Sequence, residues 1–140
     1  MKKLFIFISI MLINSILFAG MIIPESQLPQ AAKDFINKAF TGVKISVVEK
    51  ETIGYDVVLS NGMTVEFNNK GEWRNIDSNY NPIPFSVLPE NVANVIKSTY
   101  SDAIMLDVEK IGKNYQIELN NNVKMTIRPD GKIIRHRLDD

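Results

Sequence analysis

The chain contains an internal repeat, and this repeat limits the folds that it can adopt. Shifted against itself by sixty residues, the sequence aligns 28–74 with 88–134 without a gap. A single register held over this length indicates a duplicated structural unit. The matched identities are Leu28, Pro29, Ile36, Val48, Glu49, Lys50, Tyr55, Leu59, Asn61 and Gly71 in the first copy, and Leu88, Pro89, Ile96, Val108, Glu109, Lys110, Tyr115, Leu119, Asn121 and Gly131 in the second.

Each copy begins with the pattern of an amphipathic helix. Apolar residues recur at helical spacing over 28–40 and again over 88–100. We place Pro29 and Pro89 at the first helical position, where a missing backbone N–H loses no hydrogen bond. Because burying one large apolar side chain contributes about 1.5–3 kcal/mol, each apolar stripe is expected to pack against a second layer.

Four short strands follow each helix. Residues 55–59 alternate between apolar and polar at the period of a half-buried strand. Asn61-Gly62 predicts a two-residue hairpin in which both residues have positive φ, and 121–122 takes its place in the second copy. The predicted fold is α+β: two tandem units, each a helix and an antiparallel β-meander, forming one extended sheet with both helices on one face. The other face is predicted to be open to solvent.

Composition argues against most familiar catalytic sites. The chain has no cysteine and one histidine, which excludes thiolate chemistry, disulfides and a two-histidine zinc site. A Ser/His/Asp triad would depend on that one histidine, His136. The formal net charge is zero, without the basic excess that nucleic-acid binding requires. We expect no enzyme activity, no cofactor and no nucleic-acid partner.

The first nineteen residues have the pattern of an export signal. Lys2 and Lys3 precede an apolar run over 4–18, and Ala19 and Gly20 are small residues suited to cleavage. The run is shorter than the roughly 20 residues that a membrane span needs, although an uncleaved anchor is the alternative. We predict a signal peptide at 1–19 and a periplasmic or secreted protein that does not contact the membrane after cleavage.

The repeated sequence resembles the PepSY-like family. The resemblance lies in Leu28-Pro29 before the helix, in 54–62 (Gly-Tyr-x-Val-x-Leu-Ser-Asn-Gly) and in 65–73, which ends on Gly-Glu-Trp. That family is described as similar to β-lactamase inhibitor proteins and occurs as tandem units in exported bacterial proteins. The resemblance implies repeats at 26–78 and 88–138, a linker at 79–87, and a role in binding or inhibiting another protein. It assigns no functional residue, and Thr41, Ser101 and Ile133 depart from the family pattern.

The predicted open face supplies most of the candidate protein-binding residues. By strand alternation they are Asp56, Val58, Thr64 and Glu66 in the first unit, and Gln116, Glu118, Lys124 and Thr126 in the second. This mixture of both charge signs is typical of an interface rim and equally of an ordinary solvated face. Two aromatic candidates complete the set, Trp73 and Tyr80. Trp73 is in phase with the apolar Ile133, so it is also a candidate for the core. In the linker, Phe85 is expected to pack inward and Tyr80 to be partly exposed.

Three other features allow different functions. Residues 77–81 have the alternating oxygen ligands of the first half of a calcium loop, but Pro82 replaces the required glycine and an Asx turn explains the pattern. Residues 135–137 form a basic tip containing His136, which would meet an acidic partner or sense pH, or which simply ends a solvated strand. Glu66 and Glu118 would be the carboxylate pair of a glycosidase, without a predicted cleft.

Together these patterns predict an exported, non-enzymatic binding module. The expected partner is another envelope protein, a peptidase or a peptide, bound or inhibited through the open sheet face. A small-ligand or metal-binding periplasmic protein is the alternative. We expect a monomer or a weak dimer.

Overall fold

The computed structural model describes residues 20–139, so the predicted signal peptide lies outside the described part. Nine strands form one antiparallel sheet, and their order in space follows their order in the chain. Within 20–139 no helix is long and apolar enough to cross a membrane. The strands are β1 (Met21–Ile23), β2 (Ile45–Glu51), β3 (Gly54–Leu59), β4 (Thr64–Phe67), β5 (Trp73–Asp77), β6 (Met105–Ile111), β7 (Asn114–Leu119), β8 (Val123–Ile127) and β9 (Ile133–Leu138); the helices are α1 (Gln30–Ala39) and α2 (Glu90–Thr99).

The predicted α+β fold is confirmed, with one strand more than the repeat predicts. Each unit contributes a helix followed by four strands, as expected. The ninth strand, β1, precedes the first unit and pairs with β2 through Ile23 and Val48. Its three residues are too short to produce an alternation that the sequence would reveal.

Both helices lie on the same face of the sheet. From α1, Phe35 packs against Phe67 and Trp73, with ring centroids 6.0 and 5.9 Å apart. Just after α2, Tyr100 stacks on His136, the cross-strand partner of Met125 on this face. The buried row on this face runs through direct partners from β2 to β8: Val48, Val57, Val65, Ile76, Val108, Ile117 and Met125.

The two units share one hydrophobic core through the β5–β6 junction. Trp73 of the first unit lies with its ring centroid 6.3 Å from that of Tyr115 in the second. The ammonium of Lys110 lies 4.0 Å from the Trp73 ring centroid, at cation–π distance. The units are therefore joined by packing across the junction as well as by the β5–β6 ladder.

The hairpin turns differ from the predicted geometry. The N–H of Gly62 donates to the carbonyl of Leu59 at 2.9 Å, and the N–H of Leu59 donates to the carbonyl of Met63 at 2.8 Å. Gly62 has a φ of 87°, whereas Asn61 is not at positive φ. The connection is therefore a three-residue loop with one left-handed residue, and the predicted two-residue turn is wrong. In the second unit Asn122 takes the left-handed position, with a φ of 63°.

The helices also begin one residue later than predicted. Pro29 and Pro89 are N-cap residues in extended conformation, with ψ of 141° and 146°. The β4–β5 turn lies directly against the start of α1, because a Cβ atom added to Gly71 would be 2.9 Å from the Cβ of Pro29. The β8–β9 turn repeats this approach to α2 at Gly131. The proline thus marks where each helix begins and where a hairpin turn meets it.

Candidate binding surface

The sheet face opposite the helices, here called the open face, carries two rows of side chains. Direct cross-strand partners point to the same side of a sheet, so the strand register extends each row from β2 to β9. Every side chain in the two rows is exposed or half-buried. Row one is Glu49, Asp56, Glu66, Asn75, Glu109, Gln116, Thr126 and Arg135; row two is Val47, Val58, Thr64, Asp77, Asp107, Glu118, Lys124 and Arg137.

Eight predicted binding residues lie together in these rows. The register brings Asp56 beside Glu66 and Gln116 beside Thr126 in row one. It also brings Val58 beside Thr64 and Glu118 beside Lys124 in row two. The open face is thus a single surface made by both units.

Trp73 does not lie on this surface. It is 7% exposed and packs on the helix side against Phe35 and Tyr115. Trp73 is therefore not an exposed anchor, and the core alternative describes its position correctly. The sixty-residue repeat already indicated this, because Trp73 matches the apolar Ile133.

Sequence reasoning missed the middle of the open face. Asn75 and Asp77 of β5 lie beside Glu109 and Asp107 of β6, respectively. Each strand has an irregularity, between Trp73 and Asn75 in β5 and between Met105 and Asp107 in β6. Simple alternation from the buried Trp73 or Met105 would therefore have placed these residues on the helix face. The side-chain Oδ1 of Asn75 is buried without a hydrogen-bond partner among the described residues.

Both charge signs are present in the two rows, and they lie on different strands. From β2 to β7 the two rows contain seven carboxylates and neither lysine nor arginine: Glu49, Asp56, Glu66, Asp77, Asp107, Glu109 and Glu118. The cations of the rows stand on β8 and β9: Lys124, Arg135 and Arg137. The two rows therefore have a broad acidic part and a narrow basic border, while Arg74, outside the rows, lines a hollow with Asp56 and Glu66.

The acidic part holds carboxylates that repel one another. Partial burial, followed by the charges of Asp77, Glu118 and Glu109, raises the pKa of Asp107 to about 6. Partial burial, together with Glu66 and Glu49, also raises the pKa of Asp56. These shifts indicate a surface that would favour an added positive charge.

The basic border is held in place by ion pairs. The Nζ of Lys124 lies 3.3 Å from a carboxylate oxygen of Glu118 and 3.2 Å from one of Asp139. Hydrogen bonds to Asp139 and Glu118 raise the pKa of Lys124. The Nε of Arg137 lies 2.9 Å from the other oxygen of Asp139. Asp139 thus bridges the two cations.

Tyr80 stands at the margin of the acidic part. It is 90% exposed, more than expected, and has a φ of 66°, which is unusual for a bulky residue. Side-chain oxygens hold the loop: Asp77 accepts the N–H of Asn79 at 2.9 Å, and Ser78 accepts the N–H of Tyr80 at 3.1 Å. The loop and Asp107 line one shallow hollow. Residues 77–81 therefore form the Asx turn that was the alternative to a calcium loop. Phe85, in contrast, packs against the core.

The remaining polar features do not assemble a recognisable catalytic set within residues 20–139. His136 lies with its Nε2 2.6 Å from the hydroxyl oxygen of Tyr100, on the helix side of β9. Glu66 and Glu118 stand in different rows, on β4 and β7. No group of three His, Asp or Glu residues in this part of the chain is placed to hold a metal ion.

The chain matches a family model over residues 19–63 and 53–135; the model is described as "Putative beta-lactamase-inhibitor-like, PepSY-like". A solved structure from Bacteroides vulgatus, described as a periplasmic protein, is 30% identical. It superposes with a TM-score of 0.77, and the alignment covers 84% of this chain and 95% of that one.

Two further solved structures are similar to this chain at 28% identity. One, from Bacteroides thetaiotaomicron, is described as a "putative calcium-regulated periplasmic protein"; its TM-score is 0.75, with 83% of this chain and 94% of that chain covered. Another, from Bacteroides vulgatus and also described as a periplasmic protein, has a TM-score of 0.74, with 84% of this chain and 98% of that chain covered. No curated protein matches the chain at a significant level. The periplasmic descriptions agree with the predicted localisation.

Proposed function

The chain belongs to the PepSY-like, beta-lactamase-inhibitor-like family of periplasmic proteins, and from this premise we propose that it is a binding module for another periplasmic protein. The open face is the proposed contact surface. The observation that supports it is the pair of rows that both units form on the face opposite the helices. A sheet face that spans two covalently joined units presents one continuous surface to a partner.

The charge pattern specifies the chemistry of the partner. Seven carboxylates from β2 to β7 favour lysine and arginine on the opposing surface, and the border of β8 and β9 favours acidic residues there. Contact with cations would relieve the repulsion among Asp77, Asp107 and Glu118. Tyr80 adds an exposed aromatic side chain at the margin, the residue type that most often anchors an interface.

Inhibition of an enzyme is the specific form of binding that the family description suggests. An inhibitor of this kind would cover an active site with the open face while contributing no chemistry. The purified protein should then lower a hydrolase activity of the periplasm, with β-lactamase and peptidase activities measured first. If these activities stay constant at a saturating excess of the protein, the inhibitor proposal is wrong and binding without inhibition is the remaining function.

Affinity capture tests the proposed contact surface. The protein, purified from the periplasm and immobilised, is incubated with periplasmic extract and compared with the variant E66K/E118K/K124E. The matched control, D34K/E90K/K38E, makes the same kinds of charge change on the outer sides of α1 and α2, where all three residues are exposed. We expect a partner retained by wild type and control and weakened about tenfold or more by the open-face variant, a change of about 1.4 kcal/mol. Equal retention by all three proteins would contradict the proposal.

Calcium is a variable in the same experiment, because one similar structure is described as calcium-regulated. Residues 20–139 contain no group of three acidic or histidine side chains placed to hold an ion. We therefore expect the same retention in calcium and in chelator. Retention that requires calcium would indicate that the ion takes part in the contact.

A further inference from the structure

Within residues 20–139, the last strand of the sheet has a neighbour on one side only. β9 pairs with β8 on one side, and no strand within residues 20–139 lies on its other side. Asp139 donates its backbone N–H to the carbonyl of Asn122 at 2.8 Å. Since hydrogen-bond direction alternates along an antiparallel strand, the backbone groups of His136 and Leu138 point away from β8. All six residues of β9 are exposed.

The equivalent edge in the first unit is occupied. Val65 pairs with Ile76 as Met125 pairs with His136, and both strands have an irregularity at the same place. β6 covers the edge of β5, where Ile76 pairs with Val108 and is 0% exposed. Its counterpart in β9, His136, is exposed because no strand within residues 20–139 covers β9 as β6 covers β5.

At the opposite end of the sheet, the terminal strand β1 covers the edge of the first unit. β1 lies against β2, where Ile23 pairs with Val48, just as Ile76 pairs with Val108 at the junction. A separate three-residue strand therefore fills the position that β5 fills in the second unit. Within residues 20–139, the outer strand of the first unit, β2, thus has an added strand beside it, whereas the outer strand of the second unit, β9, has none.

The side chains at this edge indicate what would complement it. In the register of the junction, Asp77 faces Asp107 and Asn75 faces Glu109. At β9 the corresponding positions are Arg137 and Arg135. A strand with the sequence pattern of β6, acidic–aliphatic–acidic, would thus place two carboxylates opposite two arginines. At the junction itself the same pattern places Asp107 beside Asp77, another carboxylate.

We propose that the free edge of β9 binds an extended acidic segment of another protein, which adds to the sheet as an antiparallel tenth strand in the register of β6 on β5. The backbone of the segment pairs with His136 and Leu138. Its acidic side chains face Arg135 and Arg137 on the open side of the sheet. Its aliphatic residue lies over the helix side, beside His136, as Val108 lies beside Ile76. This site is separate from the acidic part of the open face.

A peptide from the chain itself provides the probe. The fluorescein-labelled segment Met105–Ile111 (MLDVEKI) is titrated with the protein purified from the periplasm, and fluorescence anisotropy is recorded. Two reference peptides carry either lysine in place of Asp107 and Glu109, or an N-methyl group on the amide of Val108. We expect binding of the native peptide and at least about tenfold weaker binding of both references, because the first loses the charge pairs and the second a strand hydrogen bond.

Charge reversal of the edge completes the test. The variant R135E/R137E should lose the acidic peptide and gain the lysine peptide, while R128E/K132E, the same charge change at the exposed β8–β9 turn, should behave as wild type. Far-ultraviolet circular dichroism of each variant shows whether it is folded. If the native peptide does not bind at about millimolar concentration, or if the N-methylated peptide binds equally well, the proposal is wrong. The arginines would then be charges that protect an edge strand from aggregation.

Discussion

Asp77 and Asp107 lie directly opposite each other where β5 meets β6, so the two units join with two carboxylates side by side on the open face. A pair of like charges at this position opposes the ladder that joins the units. The arrangement costs stability in the free protein and favours a positively charged partner. It therefore connects the stability of the junction with the proposed function.

Replacing Asp107 with asparagine should stabilise the protein in a pH-dependent way. The native pKa is about 6, above the ordinary 3.8, so the native state binds more protons than the unfolded chain between these values. The contribution of Asp107 to the free energy of unfolding therefore falls as pH rises from about 4 to 6. At pH 7.5 we expect Asp107→Asn to add about 1 kcal/mol, reduced from the full shift by solvent screening, and to add little at pH 4.

Urea unfolding of both proteins at the two pH values measures this difference. Asp102→Asn, an exposed residue after α2, is the matched control and should change stability by less than about 0.5 kcal/mol at either pH. A gain from Asp107→Asn that is equal at pH 4 and 7.5 would mean that the charge is not its cause.

Tyr80 should contribute to partner binding without contributing to stability. Its side chain is 90% exposed, so Tyr80→Ala should leave the free energy of unfolding within about 0.5 kcal/mol. Retention of the captured partner should fall about tenfold or more, as expected for an aromatic anchor. If Tyr80→Ala retains the partner as well as wild type does, Tyr80 is not part of the contact surface.

Trp73 should show the opposite behaviour. Its ring packs with Phe35 and Tyr115 at the junction, so Trp73→Ala should lower the free energy of unfolding by about 3–5 kcal/mol. The milder Trp73→Phe should keep the fold and retain the partner as wild type does, because Trp73 lies under the helices. Circular dichroism melts and the capture experiment separate the two effects. Loss of the partner from a folded Trp73→Phe protein would show that the helix side takes part in binding.

Two glycines with similar φ allow the stability cost of backbone strain to be measured separately from that of a packing clash. Gly42 and Gly71 have φ of 79° and 81°, but a Cβ on Gly42 would meet nothing within 4 Å, whereas one on Gly71 would meet Pro29 and Ala32. Gly42→Ala should cost about 1 kcal/mol from the backbone angle alone. Gly71→Ala should cost at least about 1 kcal/mol more. If urea unfolding shows the same loss of unfolding free energy for both variants, the β4–β5 turn is not tightly packed against α1.

The repeat made the fold predictable, because matching apolar positions in two copies indicate which strand faces and helix stripes are buried. The repeat did not predict the local details of turns and short strands. The hairpin at Gly62 has one left-handed residue rather than two, which depends on strand twist and loop length that the Asn-Gly pair alone does not specify. β1 was missed because three residues contain too little alternation.

The binding surface was predictable only where strands were strongly alternating. Asp56, Glu66 and Glu118 were placed correctly on the open face, while Asp77 and Asp107 were missed at the junction. The pairing of β5 with β6 is a tertiary contact that local sequence does not reveal. This pairing brings the carboxylates of Asp77 and Asp107 together and buries Trp73. The free edge of β9 likewise depends on which strands lack a neighbour.

Site-specific photocrosslinking shows which side of the sheet contacts a partner. A photoreactive amino acid replaces Thr64 or Gln116 in the two rows, or Asn37 or Lys97 on the exposed sides of α1 and α2. After irradiation in periplasmic extract, crosslinked products are compared. We expect one partner to be crosslinked from both Thr64 and Gln116 and from neither Asn37 nor Lys97. A partner crosslinked from the helix positions and not from the rows would contradict it.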